Sequence, residues 1–190
     1  MIVLMAGLPG TGKSTLARAL AERTAGRVLS KDEVRHAIFL PLEIEYSPRQ
    51  DDYCLHVMVE TAGYLLGRDP RRVIFLDGRP FSRRYQIENV VGAAESMRQA
   101  WRILECVCSQ ETARKRLAPD ADQHLAGNRN FQLYLEVKAR FEAIVHPKTV
   151  IETERPLETC VHEALATLQP GSVSAAREIP PPPEERLRSE

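Results

Sequence analysis

The chain has 190 residues, 43% of them hydrophobic, which suits one well-buried domain and is short for two. Its 26 basic residues match 26 acidic ones, so no global charge draws it toward nucleic acid or an anionic membrane. No apolar run approaches the ~18 residues of a membrane span, and the first apolar segment is too short for a signal peptide. The 4 cysteines contain no C-x-x-C pair, and Cys106 and Cys108 read as core packing. A reduced, cytoplasmic protein is therefore expected.

Met1–Ala6 (MIVLMA) reads as the first strand and runs directly into Gly7-Leu8-Pro9-Gly10-Thr11-Gly12-Lys13-Ser14-Thr15. This is G-x-x-x-x-G-K-[ST] in full, between a strand and a helix-forming segment. The glycines let backbone N–H groups converge on an anion, and the helix that begins near Lys13 adds its positive end. Gly7, Gly10, Thr11, Gly12 and Lys13 are thus candidates for holding ATP, with Lys13 at the β- and γ-phosphates. Ser14 is a candidate Mg²⁺ ligand and Thr15 a candidate partner of the α-phosphate.

Gly26 ends the first helix, and residues 27–30 form a short second strand. Ser30-Lys31-Asp32-Glu33 is a capping-box pattern, which puts Asp32 in the first turn of a short helix beyond a strand end, where open α/β sheets keep their ligands. Residues 41–46 are loop-like. Ser47-Pro48 opens a long helix whose stripe is Leu55, Met58, Ala62, Leu65 and Leu66. Residues 72–77 end in VIFLD, a buried parallel strand. A helix with Ile87, Val90, Val91, Ala94 and Met97 follows, then a strand over 101–107.

Ser109 caps a helix that carries Arg114-Lys115-Arg116. Residues 119–130 are polar and turn-rich, and a mobile loop is expected there. Leu133, Val137, Phe141 and Ile144 space out one further helix. A last strand over 148–152 and a last helix through Leu168 complete the domain. From 169 to 190 the composition, with its proline run, cannot bury a core, so a flexible tail is expected. Alternating strands and helices call for a five-stranded parallel sheet with helices on both faces and right-handed crossovers.

Three features beyond the phosphate loop suggest phosphoryl transfer to a hydroxyl. Asp32 and Arg35 lie one turn apart. Asp32 is placed to accept the proton of an attacking alcohol, and Arg35 to hold an anionic substrate group, though the same spacing also fits an ordinary surface pair. Asp77, at a strand tip, is a candidate Mg²⁺-water ligand or partner of a substrate-binding arginine; the alternative is a turn cap. Arg79 follows it toward the same cleft. Finally, Arg114, Arg116 and Arg129 offer cations for a closing flap, although a charge run on a helix is more often solvated.

Together GLPGTGKST, LSKDEVR, VIFLDGRPFSRR, ECVCSQETARKRL, YLEVKARFE and VIETERPLE resemble a group of P-loop kinases. That group includes polynucleotide 5′-hydroxyl kinase, zeta-toxin-like sugar-nucleotide kinases, chloramphenicol phosphotransferase and gluconate kinase. The resemblance covers residues 1–168. It implies a nucleotide-kinase-like, three-layer P-loop NTPase fold, with Asp32 as general base and Arg35 on the acceptor side. These lids often carry a further arginine where Pro119-Asp120 stand here, so either Arg129 replaces it or the flap is weaker. A small-molecule alcohol is the expected acceptor, and a nucleic-acid 5′-hydroxyl is the alternative, suggested by Arg71-Arg72, Arg79 and Arg83-Arg84. A nucleotide-dependent regulatory module without catalysis is the third reading. The sequence is silent on oligomeric state.

Overall fold

The computed structural model describes residues 1–118 and 130–169. Five strands, β1 (Ile2–Ala6), β2 (Arg27–Ser30), β3 (Ile74–Asp77), β4 (Trp101–Val107) and β5 (Thr149–Glu152), form one sheet in the order β2-β3-β1-β4-β5. Every neighbouring pair is parallel. The chain first moves outward from β1 to β2 and later crosses to β4 on the other side. The carboxyl end of β1 is thus a switch point, where open α/β sheets bind ligands.

β1 shows why this sequence forms the centre of the sheet. All five of its residues are buried, and they alternate between two cores. Ile2, Leu4 and Ala6 face helices α3 (Pro48–Arg68) and α4 (Arg84–Ser96), meeting Met58, Ala62, Leu66 and Val90. Val3 and Met5 face α1 (Lys13–Thr24) and α7 (Leu157–Leu168), meeting Leu16, Leu20, Val161 and Ala164. This is the expected three-layer α/β architecture with a five-stranded parallel sheet. A third, smaller cluster joins α5 (Gln110–Leu117) to α6 (Phe131–Ala139) through Ala113, Leu117 and Tyr134. Among the described residues no helix is long and apolar enough to cross a membrane.

Two local details position the site. Ser30 pairs in register with Asp77, so the ends of β2 and β3 lie side by side. The Ser30 hydroxyl then accepts from the Glu33 N–H and starts α2 (Lys31–Ile38), as the capping pattern predicts. The first turn of α2 therefore sits against the turn that leaves β3: a side chain on Gly78, at φ 89°, would meet the Lys31 backbone nitrogen at 3.0 Å.

One predicted element is shorter than its apolar spacing suggests. The helix expected to carry Leu133, Val137, Phe141 and Ile144 ends at Ala139. Glu142 is drawn away instead: its N–H donates to the Ser82 carbonyl at 2.9 Å, and its carboxylate accepts from the Arg84 N–H at 2.7 Å. Phe141 and Ile144 then pack into the core outside any helix. Tertiary capture has overridden local propensity. Within the predicted loop 41–46, Pro41–Glu43 form a single 3-10 turn. The expected mobile loop, save for Asn130, and the tail beyond residue 169 lie outside the described residues, as does Arg129.

Candidate active site

An open cleft of about 1440 Å³ runs across the carboxyl ends of the strands. Single small ligands usually occupy roughly 300–1,000 Å³, so two reactants fit side by side here. One end is formed by Pro9, Gly10, Gly12, Lys13, Ser14, Thr15, Arg116 and Thr153; the other by Lys31, Asp32, Tyr46, Asp51, Asp77, Arg79 and Tyr85.

The first end is largely backbone. Gly12, at φ 80°, is the N-cap of α1 and offers no side-chain cap, which leaves the first N–H groups of the helix suited to an anion. The Leu8 carbonyl accepts from Lys13 Nζ at 2.7 Å and from the Thr11 hydroxyl at 2.8 Å, which curls the loop over itself. Gly7 admits no substitute, since a Cβ there would lie 2.2 Å from the Cys106 carbonyl oxygen. Arg116 donates to the Thr153 hydroxyl at 3.0 Å and to the Thr153 carbonyl at 2.6 Å, while the Thr153 hydroxyl donates to Thr11 O at 2.8 Å. α5, the loop after β5 and the phosphate loop are thereby tied together. Glu154 adds to this tie by accepting from Thr112 and Ser109, and these bonds hold its carboxyl below the usual range.

The second end is built from side chains. Arg35 has no exposed surface and donates to Asp32 Oδ1 at 2.8 Å, to Gln50 Oε1 at 3.1 Å and to Asp51. The Tyr46 ring covers its guanidinium at 4.9 Å. Lys31 Nζ reaches Asp51 Oδ1 at 2.7 Å and Asp32 Oδ1 at 3.8 Å. Both cations near Asp32 thus fall on Oδ1, and Oδ2 has no hydrogen-bond partner among the described residues. Next along α3, Asp52 pairs with Arg79 at 2.6 Å and accepts from the Tyr85 hydroxyl at 3.2 Å. Two adjacent aspartates on α3 therefore hold two neighbouring segments: Asp51 holds α2, and Asp52 holds the loop after β3.

Asp77, 4% exposed, leaves Oδ1 without a partner among the described residues, and Arg79, 2% exposed, leaves Nε and Nη1 so. A buried donor or acceptor left unmatched costs about 1–3 kcal/mol, more when charged. These atoms are where a further polar group would meet unmatched partners.

Most predicted site residues meet in this one cleft: Gly10, Gly12, Lys13, Ser14, Thr15, Asp32, Asp77, Arg79 and Arg116 all line it. Four do not. Gly7 and Thr11 shape the loop from behind, beside a small cavity of about 220 Å³ next to Cys106 and Cys108. Arg35 is wholly enclosed, so as it stands it does not reach a substrate. Arg114 lies over the Phe131 ring at 4.2 Å. Sequence reading missed Asp51, Asp52, Lys31, Tyr46 and Thr153. Their local patterns, such as acids near a helix start, are too common to single them out. Cys106 is core, as expected, and burial pushes its thiol up to about 12. Cys108 is only half-buried, just past the end of β4.

The sequence of residues 2–144 matches the model of a family described as AAA domain. No curated protein matches the chain. Among solved structures, a putative kinase from Chloroflexus aurantiacus superposes with a TM-score of 0.69 at 20% identity, over 88% of this chain and 95% of that one. The Mycobacterium tuberculosis APS kinase CysC, solved with AMPPNP and APS, gives 0.68 at 14% identity over 88% and 96%. A sugar kinase from a Janibacter species gives 0.63 at 18% identity over 87% and 92%. At these identities the likeness is one of fold: a P-loop kinase-like domain.

Proposed function

The chain belongs to the AAA domain family, and from that premise we propose that it is an ATP- and Mg²⁺-dependent kinase acting on a hydroxyl of a small molecule. Residues 1–168 form the kinase domain in this reading, with 169–190 an appended tail. The observation that carries it is Asp32: a carboxylate 6% exposed, in the same cleft as the phosphate loop, with one oxygen held by cations and the other uncommitted.

The chemistry follows from that placement. Lys13, Ser14, Thr15 and the α1 N-terminus hold the triphosphate. Asp32 Oδ2 accepts the proton of the acceptor hydroxyl as its oxygen bonds to the γ-phosphorus, and the bond to the β,γ-bridging oxygen breaks. Arg35 and Lys31 fix the angle of Asp32 through Oδ1, so Arg35 acts as a positioning residue. Arg116, on the cleft wall, is the cation assigned to the charge on the transferred group, and Arg114 packs against Phe131 instead.

The donor set fits Mg²⁺. Ser14 supplies a hydroxyl and Asp77 a buried, unmatched carboxylate oxygen. Among the described residues no cluster of three His, Cys, Asp or Glu side chains would hold a metal alone, so phosphate oxygens and water would complete the shell. When bound, Mg²⁺ supplies charge neutralisation at the phosphates.

A small acceptor is favoured over a polynucleotide end by how the cations are spent. Lys31, Arg35, Arg79 and Arg83 are each paired with a carboxylate of the protein. Phosphate tracking needs cations free to replace counterions. Arg71 and Arg72 also precede β3 whereas Arg79 follows it, so a strand about 13 Å long separates them. The test is transfer of labelled γ-phosphate from ATP to a panel of alcohols and to a 5′-hydroxyl oligonucleotide. Labelling of small alcohols alone is expected, and labelling of the oligonucleotide alone would reverse the choice of acceptor. ATP binding without transfer to any acceptor would favour the regulatory module.

A further inference from the structure

Among the described residues, Arg79 is the one cleft-lining cation with buried, unmatched donors. Lys31 and Arg35 are each bonded to Asp51, with Asp32 as second partner, and Arg83 is bonded to Glu142. Arg79 meets Asp52 through Nη2 alone, while Nε and Nη1 are both buried and unmatched among the described residues. Its side chain is 2% exposed and forms part of the cleft wall. Bulk water does not reach these two nitrogens, and a guanidinium carries its charge at any physiological pH. A buried cation kept in this state requires an explanation beyond packing, because an apolar residue would fill the same volume without unmatched donors.

We propose that Arg79 is an anion anchor, and that the acceptor is a small alcohol carrying one anionic group, a carboxylate or a phosphate, in addition to the hydroxyl that is phosphorylated. The inference rests on the kinase reading above. Arg79 is already fixed at one nitrogen, because Asp52 holds it from α3 and the Tyr85 hydroxyl braces Asp52. Turning of the guanidinium about that contact would bring Nε or Nη1 to an incoming oxygen. The anchor and Asp32 line one cleft from neighbouring segments, Arg79 after β3 and Asp32 after β2. A substrate anion held at Arg79 leaves a hydroxyl elsewhere on the same molecule to approach Asp32. The neighbouring Lys31 and Arg35 are already paired with carboxylates, so a single anionic group is favoured over a chain of phosphates.

The test uses matched acceptors: glycerol, glycerate and glycerol phosphate, and glucose, gluconate and glucose phosphate. Transfer rates are measured with ATP and Mg²⁺ on the full chain. In parallel, thermal stabilisation by gluconate or inorganic phosphate is measured with a non-hydrolysable ATP analogue present. The expected result is a kcat/KM for one anionic class on the order of tenfold or more above its neutral counterpart, the scale of one charge-assisted hydrogen bond. Which class wins separates carboxylate from phosphate. Arg79→Gln should erase that ratio mainly through KM, and Arg79→Lys, which keeps the charge, should restore part of it. Equal kcat/KM for neutral and anionic members in the wild-type protein would overturn the anchor while leaving the kinase reading intact. Anion stabilisation that disappears in Arg79→Gln, with no transfer to any alcohol, would uphold the anchor and overturn the kinase reading. No anion preference in either assay would overturn the anchor outright.

Discussion

The two ends of the cleft are built by different means. At the nucleotide end the chain turns back on itself within nine residues, and backbone N–H groups, positive-φ glycines and a helix terminus supply the binding surface. At the acceptor end the surface is a set of side chains joined across the sequence, such as Arg35 to Asp51 and Arg79 to Asp52. A backbone-built site is preorganised by local geometry and takes any ligand with the right phosphates. A site of mutually paired charges is fixed only once the whole fold has formed, and it can be retuned one residue at a time. In the proposed kinase reaction, the first end suits the phosphate donor and the second suits the acceptor.

Substitutions at the two ends should therefore fail in different ways. The largest loss of function at the nucleotide end is expected for Lys13→Ala, with turnover down about 10²–10³-fold, the scale of removing one preorganised charge donor. The melting temperature should change little, because Lys13 meets a loop carbonyl rather than the core. Steady-state rates and thermal unfolding together check this. At the acceptor end Arg35→Met should instead unfold easily. Removing this fully buried partner leaves Lys31 as the single cation beside Asp32 and Asp51 among the described residues, at about 3–5 kcal/mol, or a fall in Tm of roughly 10 °C. Asp51→Asn should be milder, since Asp51 is partly exposed and Asp32 still receives both cations. A Tm loss of about half that of Arg35→Met is expected, and an equal loss would contradict the milder role given to Asp51.

The smallest effect should come from Glu142. Hydrogen bonds from the Arg84 N–H and from Arg83 hold its carboxyl below its ordinary value of 4.5. A lowered folded-state pKa stabilises above the unfolded value, and that stabilisation is lost as pH falls through the folded value. The Tm difference between wild type and Glu142→Gln should therefore be small near neutral pH and shrink toward zero on acidification below 4.5. A difference that grew on acidification would contradict the assignment.

The same contrast explains what could be read in advance. The phosphate loop, the Ser30 cap and the alternating burial of β1 depend on residues close in sequence, so pattern reading places them. Asp32 was legible for that reason, standing two residues beyond the cap. Asp51 and Asp52 were not, because their partners lie 16 and 27 residues away and nothing local distinguishes two acids near a helix start. Arg35 was read as facing substrate because helix spacing gives its face but not what covers it; Tyr46 and Gln50 arrive from another element. The end of α6 was misjudged for a similar reason, since Glu142 is captured by the start of α4, 58 residues earlier.

The central claim, that Asp32 is the base of a phosphoryl transfer, is tested most directly by Asp32→Asn. The substitution keeps the size of the side chain and an oxygen for Arg35 while removing the proton acceptor. ATP affinity and turnover are measured on the same folded protein. Nearly unchanged ATP affinity is expected, with turnover lower by about 10²–10⁴-fold, the usual contribution of general-base catalysis. Unchanged turnover would make Asp32 only a partner of Arg35, and a parallel loss of ATP affinity would make it part of the metal or nucleotide site; either result contradicts the claim.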